Sequence, residues 1–434
     1  MENIVIIGGG AGGLALATQL GKKFKRSKKT QIILIDKNPS HIWKPLLHEV
    51  AAGSLDSSFD ELNYRYHGKK NHFNFVLGSL ETIDCKNQQL ILAERYDDNG
   101  ELITPVQTLA YTYVVIAIGG ISNDFDVSGA KENCYFLDDK AQAERFHQHL
   151  LNQTDRLRCT ALNTFNDKPT LHIGIVGGGA TGVELAAELQ HTALSLSGYQ
   201  HNDSENVNYH ITLVEAGPRI LPALSEKLSK AAQRTLEKIG IEVRCDTGVK
   251  ECTEQGFITN SDEVIECDIR VWATGIKAPP LLTSITGLES NSRNQLAVLN
   301  TLQSTTDEHV FVIGDCASCP LPNGGFVPPR AQAAHQMASL VYKNILRSRR
   351  NKSLKPFRYR DFGSLVSLSN YNTVGGLMSG SIGSEMRIGG PIARLVYLSL
   401  YRMHLLAVHG LYHSLLIALA GRIHRAIKPK LKLH

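Results

Sequence analysis

Ile4-Val-Ile-Ile-Gly-Gly-Gly-Ala-Gly-Gly-Leu-Ala-Leu-Ala-Thr-Gln-Leu20 and Ile173-Gly-Ile-Val-Gly-Gly-Gly-Ala-Thr-Gly-Val-Glu-Leu-Ala-Ala-Glu-Leu189 are two copies of one phrase. They lie 169 positions apart and agree at 10 of 17 positions. Each is an apolar run, then G-x-G-x-x-G, then apolar residues at helical spacing. The order strand, glycine turn, helix turns a weak glycine pattern into a dinucleotide fingerprint. Gly8, Gly10 and Gly13, and again Gly177, Gly179 and Gly182, give the tight turn and let backbone N–H groups and the helix N-terminus approach a pyrophosphate. One nucleotide-binding domain needs one such phrase, so this chain is expected to hold two dinucleotides.

The acids that follow agree. Ile32-Ile-Leu-Ile35 reads as the next strand and ends at Asp36, about twenty residues beyond the last glycine. Ile211-Thr-Leu-Val214 ends at Glu215 in the same way, after a polar stretch (195–208) that reads as a surface loop. A carboxylate there accepts hydrogen bonds from an adenosine ribose and repels a 2′-phosphate. That favours FAD, held non-covalently, at the first site, and NADH over NADPH at the second.

Composition sets the outer bounds. The 434 residues are enough for two or three domains, and 42% hydrophobic with 20% charged residues is a globular balance. The net charge of +5 is uneven. After Glu385 there is no acidic residue, while Arg387, Arg394, Arg402, Arg422, Arg425, Lys428, Lys430 and Lys432 are all basic. The basic character belongs to the tail, and nothing else suggests a nucleic-acid partner. The first strand begins within about three residues, which leaves no room for a signal peptide and predicts a cytoplasmic location with the eight cysteines reduced. Cys316-Ala-Ser-Cys319 has redox or metal spacing. No second pair completes a zinc site, so no metal is expected, and the alternative is small packing residues beside a cofactor.

Along the chain, residues 1–120 read as the first part of an FAD-binding domain. Within it, residues 111–118 form an apolar strand that ends in Gly119-Gly120, and residues 94–107 form a hairpin turn with its flanks. Residues 121–169 read as a connecting helix and linker, and 170–280 as the NADH-binding domain. The strand Asp268-Ile-Arg-Val-Trp272 leads into Ala273-Thr274-Gly275, an echo of the Gly119 strand end, where small residues let backbone lie close to a cofactor. Residues 281–345 return to the FAD domain. There a strand at 309–313 carries Gly314-Asp315 at its carboxyl end, where Asp315 can accept a hydrogen bond from a ribityl hydroxyl. After Pro328-Pro329 a helix begins with Arg330-Ala331-Gln332, and its small residues suit close packing against a ring system.

Residues 346–434 form the C-terminal region. Met403 to Gly421 is nineteen residues without a charge, a marginal spanning length interrupted by Gly410 and by His404, His409 and His413. Read as helices at about 391–409 and 411–427, it gives apolar faces with Leu395, Leu398, Leu405 and Leu406, then Leu415, Leu416, Leu419 and Ile423. Flanking Arg and Lys make this the pattern of an interfacial amphipathic pair drawn to anionic lipid. A dimer-forming helical pair with a solvated basic face is the competing reading. The expected fold class is thus α/β, two Rossmann-like dinucleotide-binding domains plus a C-terminal amphipathic helical membrane-anchoring region.

A flavin beside an NADH site implies hydride transfer, which needs positioning more than an acid or base. Where the first phrase has Ala15, the second has Glu184. That carboxylate either favours the helix dipole or points to the nicotinamide ribose or carboxamide. The region after the first glycine helix, His41-Ile-Trp43-Lys44-Pro45-Leu-Leu-His48-Glu49-Val-Ala51, has no cysteine, which disfavours a disulfide acceptor. A lipid-soluble acceptor fits the tail.

On these residues, together with Gly314-Asp-Cys-Ala317 and Ala331-Gln-Ala-Ala-His-Gln336, the whole chain resembles the type II (non-proton-pumping) NADH:quinone oxidoreductases, most of all their bacterial respiratory branch. The resemblance implies that Gln332 and Gln336, at i and i+4 on one helix face, serve a quinone, ubiquinone or menaquinone. By residue type alone they are helix-surface glutamines. It further implies that Glu184 contacts NADH, that Asp315 contacts the flavin with Lys44 near the isoalloxazine, and that Ala331 helps line the site. It implies a homodimer held peripherally on the cytoplasmic face of the cytoplasmic membrane, with no helix set to carry a proton path. Two alternatives remain: a sulfide:quinone oxidoreductase-like flavoenzyme, which the second fingerprint and Glu215 oppose, and an NADH-binding flavoprotein acting as a redox-dependent interaction partner.

Overall fold

The computed structural model describes residues 1–164, 169–197, 207–369, 372–378, 385–389, 405–406, 408 and 410–427. The chain divides into two compact units. The first comprises Met1–Trp43, Glu61–Ile121 and Ile276–Asp361; the second comprises Lys44–Asp60, Ser122–Gly275 and Phe362–His434.

The first unit is built on a parallel sheet in the order Val310–Val312, Tyr113–Ile116, Glu2–Ile7, Thr30–Asp36, Asn74–Leu77. Its strands read as near-continuous Ile, Val and Leu because both faces are covered; Ile4, Val5, Ile6 and Val114 are fully buried. Helices Ala11–Phe24 and Ala331–Ser348 pack on one another through small residues. A Cβ added at Gly12 would already stand 3.1 Å from the Ala334 carbonyl oxygen. The chain runs outward from the central strand Glu2–Ile7 in one direction and returns on its other side with Tyr113–Ile116. That reversal is a topological switch point, and ligands of open α/β sheets bind at the carboxyl end of the strands there. In the region read as a hairpin, Arg95–Tyr96 pairs antiparallel with Leu102–Thr104.

The second unit repeats the plan. Its parallel sheet has the order Ile241–Arg244, Asn208–Val214, Thr170–Val176, Ile269–Trp272, with the switch point between the last two. Helix Ala180–Ser197 follows the second glycine turn, and helix Leu47–Ala52 packs against both it and helix Lys140–Thr164. The loop expected at 195–208 is shortened at its start by this helix, and residues 198–206 lie outside the described residues. An antiparallel sheet of Val249–Cys252, Gly256–Thr259 and Val264–Glu266 closes a core of Val176, Val214, Phe257, Ile265 and Trp272.

The C-terminal part contains an antiparallel sheet that the sequence reading did not single out: Ser364–Leu368, Asn372–Met378 and Glu385–Gly389. Its strands carry glycines at 375 and 376, which dilute the apolar alternation that marks a strand. The second tail helix is observed at Leu411–Ile427. Of the first, expected at about 391–409 with Leu395 and Leu398, only 405, 406 and 408 are among the described residues. Among the described residues no helix is long and apolar enough to cross a membrane.

Candidate functional site

The first glycine turn closes tightly. Gly8 has φ +102°, and a Cβ there would stand 2.4 Å from the Ala117 carbonyl oxygen; one at Gly13 would stand 1.9 Å from the Gly8 carbonyl oxygen. Gly10 is different: a Cβ there would meet nothing within 4 Å. The helix that starts beside it has no side-chain cap and no acidic residue in its first turn. Its orphan N–H groups therefore open onto space that side chains leave clear, the arrangement that takes an anionic pyrophosphate. Asp36 holds the turn from the next strand. The Gly9 N–H donates to its Oδ2 at 2.6 Å and the Asn38 N–H to its Oδ1 at 2.8 Å. Burial pushes the Asp36 carboxyl above its ordinary range, and those two N–H groups with Lys37 oppose the shift. Tyr64 Oη donates to the Gly9 carbonyl at 2.8 Å, an anchor that no sequence motif marks.

Across the switch point, Gly119 (φ +74°) also faces open space. Its neighbour Gly120 lies against Asp315, whose Cβ would be 3.3 Å from an added Cβ. Asp315 sits on the tight turn Gly314–Cys316, fixed by Gln295 Nε2 donating to its carbonyl at 2.9 Å. The structure thus brings Gly8, Gly10, Gly13, Asp36, Gly119 and Asp315 to the carboxyl edge of one sheet. Open space before Gly10 and Gly119, uncapped N–H groups and a carboxylate on the second strand fit FAD.

The second unit reproduces the cradle. Gly177 has φ +116°, and a Cβ there would stand 2.8 Å from the Ala273 carbonyl oxygen and from Thr274 Cβ. At Gly182 it would stand 2.0 Å from the Gly177 carbonyl oxygen, and at Gly179 it would meet nothing. Glu215 plays the part of Asp36: the Gly178 N–H donates to Oε2 and the Gly217 N–H to Oε1, both at 2.7 Å. Gly177, Gly179 and Gly182 thus share one turn, with Ala273 and Thr274 against Gly177 and Glu215 tied to its neighbour Gly178, and Gly275 (φ +67°) follows Thr274; an adenosine ribose would share the Glu215 carboxylate with two N–H groups.

Glu184, in the second turn of helix Ala180–Ser197, is 7% exposed. Its Oε1 accepts the Ser367 N–H at 2.9 Å, and its Oε2 lies 3.6 Å from His48 Nδ1. Burial pushes its carboxyl well up, with Glu49 and Glu188 adding to the shift, while burial pushes the His48 imidazole down to about 4. With His48 neutral at pH 7, their contact is not an ion pair. Lys44 belongs to this second unit and pairs with Asp138 at 3.3 Å.

The glutamine helix of the first unit holds its two amides against the segment 360–361. Gln336 Nε2 donates to the Arg360 carbonyl at 2.9 Å and its Oε1 accepts the Arg360 N–H at 3.0 Å. Gln332 Nε2 donates to Asp361 Oδ1 at 3.3 Å, and Arg330 Nη1 pairs with Asp361 Oδ2 at 3.1 Å. Ala331 opens the helix, and Ala333, Ala334 and Met337 face the core. Burial pushes His335 down to about 4. Cys316 and Cys319 are 0% and 1% exposed, and their thiols donate to the carbonyls of Ile313 at 3.3 Å and Pro320 at 3.9 Å. Cys316 follows Asp315 in that turn, and burial pushes the two thiols up, to about 12 and about 11. No group of three His, Cys, Asp or Glu among the described residues could hold a metal ion.

Residues 2–338 match the family model described as pyridine nucleotide-disulphide oxidoreductase. A type II NADH:quinone oxidoreductase of Haemophilus influenzae is 44% identical, covering 100% of this chain and 100% of that one. The type II NADH:quinone oxidoreductase of Staphylococcus aureus is 29% identical over 90% of this chain and 91% of its own. The structure of NDH2 from Plasmodium falciparum in complex with NADH superposes with a TM-score of 0.83 at 20% identity, covering 99% of this chain and 100% of that chain. At that identity the likeness is one of fold.

Proposed function

Because the chain belongs to the pyridine nucleotide-disulphide oxidoreductase family and, within it, to the type II NADH:quinone oxidoreductases, we propose that it passes a hydride from NADH to FAD and then two electrons to a membrane quinone, without pumping protons. The observation that carries this reading is the duplicated cradle: two glycine turns at two switch points, each tied through its middle glycine to a carboxylate on the following strand. The net reaction takes one NADH, one quinone and one proton to NAD⁺ and quinol, so the chain needs no nucleophile and no metal. FAD, when bound, supplies the two-electron carrier between donor and acceptor.

The residues divide the remaining work. Gly8, Gly10 and Gly13 with Asp36, Gly119 and Asp315 hold FAD, and Gly177, Gly179 and Gly182 with Ala273, Thr274 and Gly275 hold NADH. Glu215 rejects a 2′-phosphate by charge. Glu184, its carboxyl pushed up by burial and fixed by the Ser367 N–H, hydrogen-bonds the nicotinamide carboxamide. Gln332 and Gln336 present the quinone edge, their amides oriented by Asp361 and Arg360. The intact second turn and Glu215 favour NADH over sulfide as donor.

Membrane association rests on the tail helix. Leu411, Leu415 and Leu419 are 68%, 62% and 57% exposed at i, i+4 and i+8, and Tyr412, Leu416 and Ile423 are exposed with them. An apolar face of this kind beside basic residues suits the interface of anionic lipid. Peripheral placement on the cytoplasmic face, and a homodimer, complete the proposal.

Steady-state kinetics of Gln332→Ala and Gln336→Ala test the quinone assignment. Each is expected to raise the quinone KM about 5- to 10-fold, the worth of one net hydrogen bond, and to leave the rate at which NADH bleaches the flavin unchanged. Loss of the NADH step with an unaltered quinone KM would refute it.

A further inference from the structure

Phe125 is a bulky apolar side chain that the fold leaves 59% exposed, and its neighbours hold it in place. Trp272, the last residue of strand Ile269–Trp272, donates its indole Nε1–H to the Asn123 carbonyl at 2.8 Å. Asn123 Oδ1 in turn accepts the Phe125 N–H at 3.1 Å. On the other side, the buried Asp124 carboxylate pairs with Lys131 Nζ at 2.8 Å, and the Asp124 carbonyl accepts the Val127 N–H at 3.1 Å. Between these tethers Phe125 and Asp126 have φ +52° and +55°, two consecutive non-glycine residues in the left-handed region. A bulky residue keeps that conformation only where its surroundings impose it, and such strain collects at ligand contacts.

The ring tip rests on Gly275. A Cβ added to that glycine would stand 2.7 Å from Phe125 Cε2 and Cζ and 2.8 Å from Asn123 Cβ, so only bare backbone fits beneath the ring. A single exposed apolar residue needs no special account as a rule. This one is exposed, strained, tethered and seated on the strand end that leads out of the second cradle. The order of the sheet says which part of a dinucleotide arrives there. Glu215, at the end of strand Asn208–Val214, lies on one side of the central strand Thr170–Val176 and takes the adenosine ribose. The glycine turn that follows the central strand takes the pyrophosphate. Strand Ile269–Trp272, which runs into Ala273–Gly275, lies on the opposite side. A dinucleotide laid across the switch point therefore carries its nicotinamide half to Gly275 and Phe125.

We propose that Phe125 is a binding residue for the nicotinamide half of NADH: its ring, seated beside Gly275, packs against the nicotinamide riboside and orients the ring that gives up the hydride. An aromatic side chain suits this task because it offers a flat apolar surface that packs against another ring. The tethers at Asn123 and Asp124 fix where that surface stands before NADH arrives, so little ordering is left to be done on binding. The adenosine end is held by Glu215 and the glycine turn and does not depend on Phe125. The proposal rests on the assignment of NADH to the second cradle and adds to it a residue outside both glycine phrases.

The test uses full-length, FAD-loaded wild type, Phe125→Ala, Phe125→Leu and Phe125→Tyr with two probes. The first is NADH, read as the concentration that half-saturates the rate of flavin bleaching in anaerobic stopped-flow. The second is ADP-ribose, which lacks the nicotinamide, read as a competitive inhibitor of that reaction. Phe125→Ala should raise the half-saturating NADH concentration about 5- to 10-fold, the worth of one aromatic contact, and leave ADP-ribose inhibition unchanged. Phe125→Tyr should behave as wild type, and Phe125→Leu should fall with Phe125→Ala. An unchanged NADH response in Phe125→Ala would overturn the proposal. So would an equal loss for NADH and ADP-ribose, which marks a collapsed loop, or a Phe125→Leu protein at the wild-type level. Wild type that neither NADH bleaches nor ADP-ribose inhibits would overturn the assignment of the second cradle itself, and the proposal with it.

Discussion

Gly182→Ala should separate the two nucleotide sites. The added Cβ would lie 2.0 Å from the Gly177 carbonyl oxygen, where ordinary contact begins near 3.4 Å, so the first turn of helix Ala180–Ser197 must retreat by about 1.4 Å. That turn carries the N–H groups meant for the NADH pyrophosphate. Overpacking of this size costs about 1–3 kcal/mol, and if the cost falls on the NADH-bound form it raises the NADH KM about 5- to 150-fold. The yellow colour of bound flavin should be unaffected, since the first cradle belongs to the other unit. The mirror change Gly13→Ala, whose Cβ would stand 1.9 Å from the Gly8 carbonyl oxygen, should instead yield colourless protein. Absorbance near 450 nm and steady-state kinetics on both variants read the two outcomes. A Gly182→Ala protein with an unchanged NADH KM would refute the argument, as would one that loses flavin while Gly13→Ala keeps it.

Glu215→Gln removes the charge opposed to a 2′-phosphate and leaves only one oxygen for the Gly178 and Gly217 N–H groups; the ratio of kcat/KM for NADPH over NADH should rise about tenfold, equivalent to about 1.4 kcal/mol, and an unchanged ratio would reassign the residue. His48 and His335 are both pushed from 6.5 down to about 4 by burial, so the folded state binds protons less readily than the unfolded chain. Their contribution is fully present above about pH 6.5 and is lost as the pH falls towards 4, roughly 3 kcal/mol for each imidazole. Urea midpoints at pH 7.5 and 5 should show that loss in the wild type and less of it in a His48→Asn, His335→Asn variant. Leu415→Asp with Leu419→Asp replaces two exposed apolar residues of the tail helix, each worth about 1.5–3 kcal/mol on burial, and should abolish co-sedimentation with vesicles containing phosphatidylglycerol while leaving NADH oxidation by a soluble quinone analogue intact.

What the sequence made legible is what is local. The glycine turns, Asp36 and Glu215 are fixed by bonds spanning one strand–helix–strand unit, and their residue types follow from close backbone approach. Gln332 and Gln336 were readable as one face of a helix through their i, i+4 spacing. The segment that pins their amides was not, because Arg360 and Asp361 carry no pattern. Glu184 stood out only against Ala15. Its burial against Ser367, 183 positions away, and beside His48 depends on packing that periodicity does not report. The cysteines show the same limit: C-x-x-C spacing drew attention to Cys316 and Cys319, whose thiols donate to carbonyls, while the core cluster that holds Cys252 and Cys267, with Cys134 packed against it, has no spacing pattern. The sheet within residues 364–389 was hidden by its glycines.

Anaerobic stopped-flow mixing with NADH, followed by a second mix with a soluble quinone analogue, tests the two-cradle account most directly. NADH should bleach the 450 nm flavin band at least as fast as steady-state turnover, and the quinone should restore the band with quinol formed in equal amount. A flavin that stays oxidised in NADH, or one that NADH reduces and quinone leaves reduced, would contradict it.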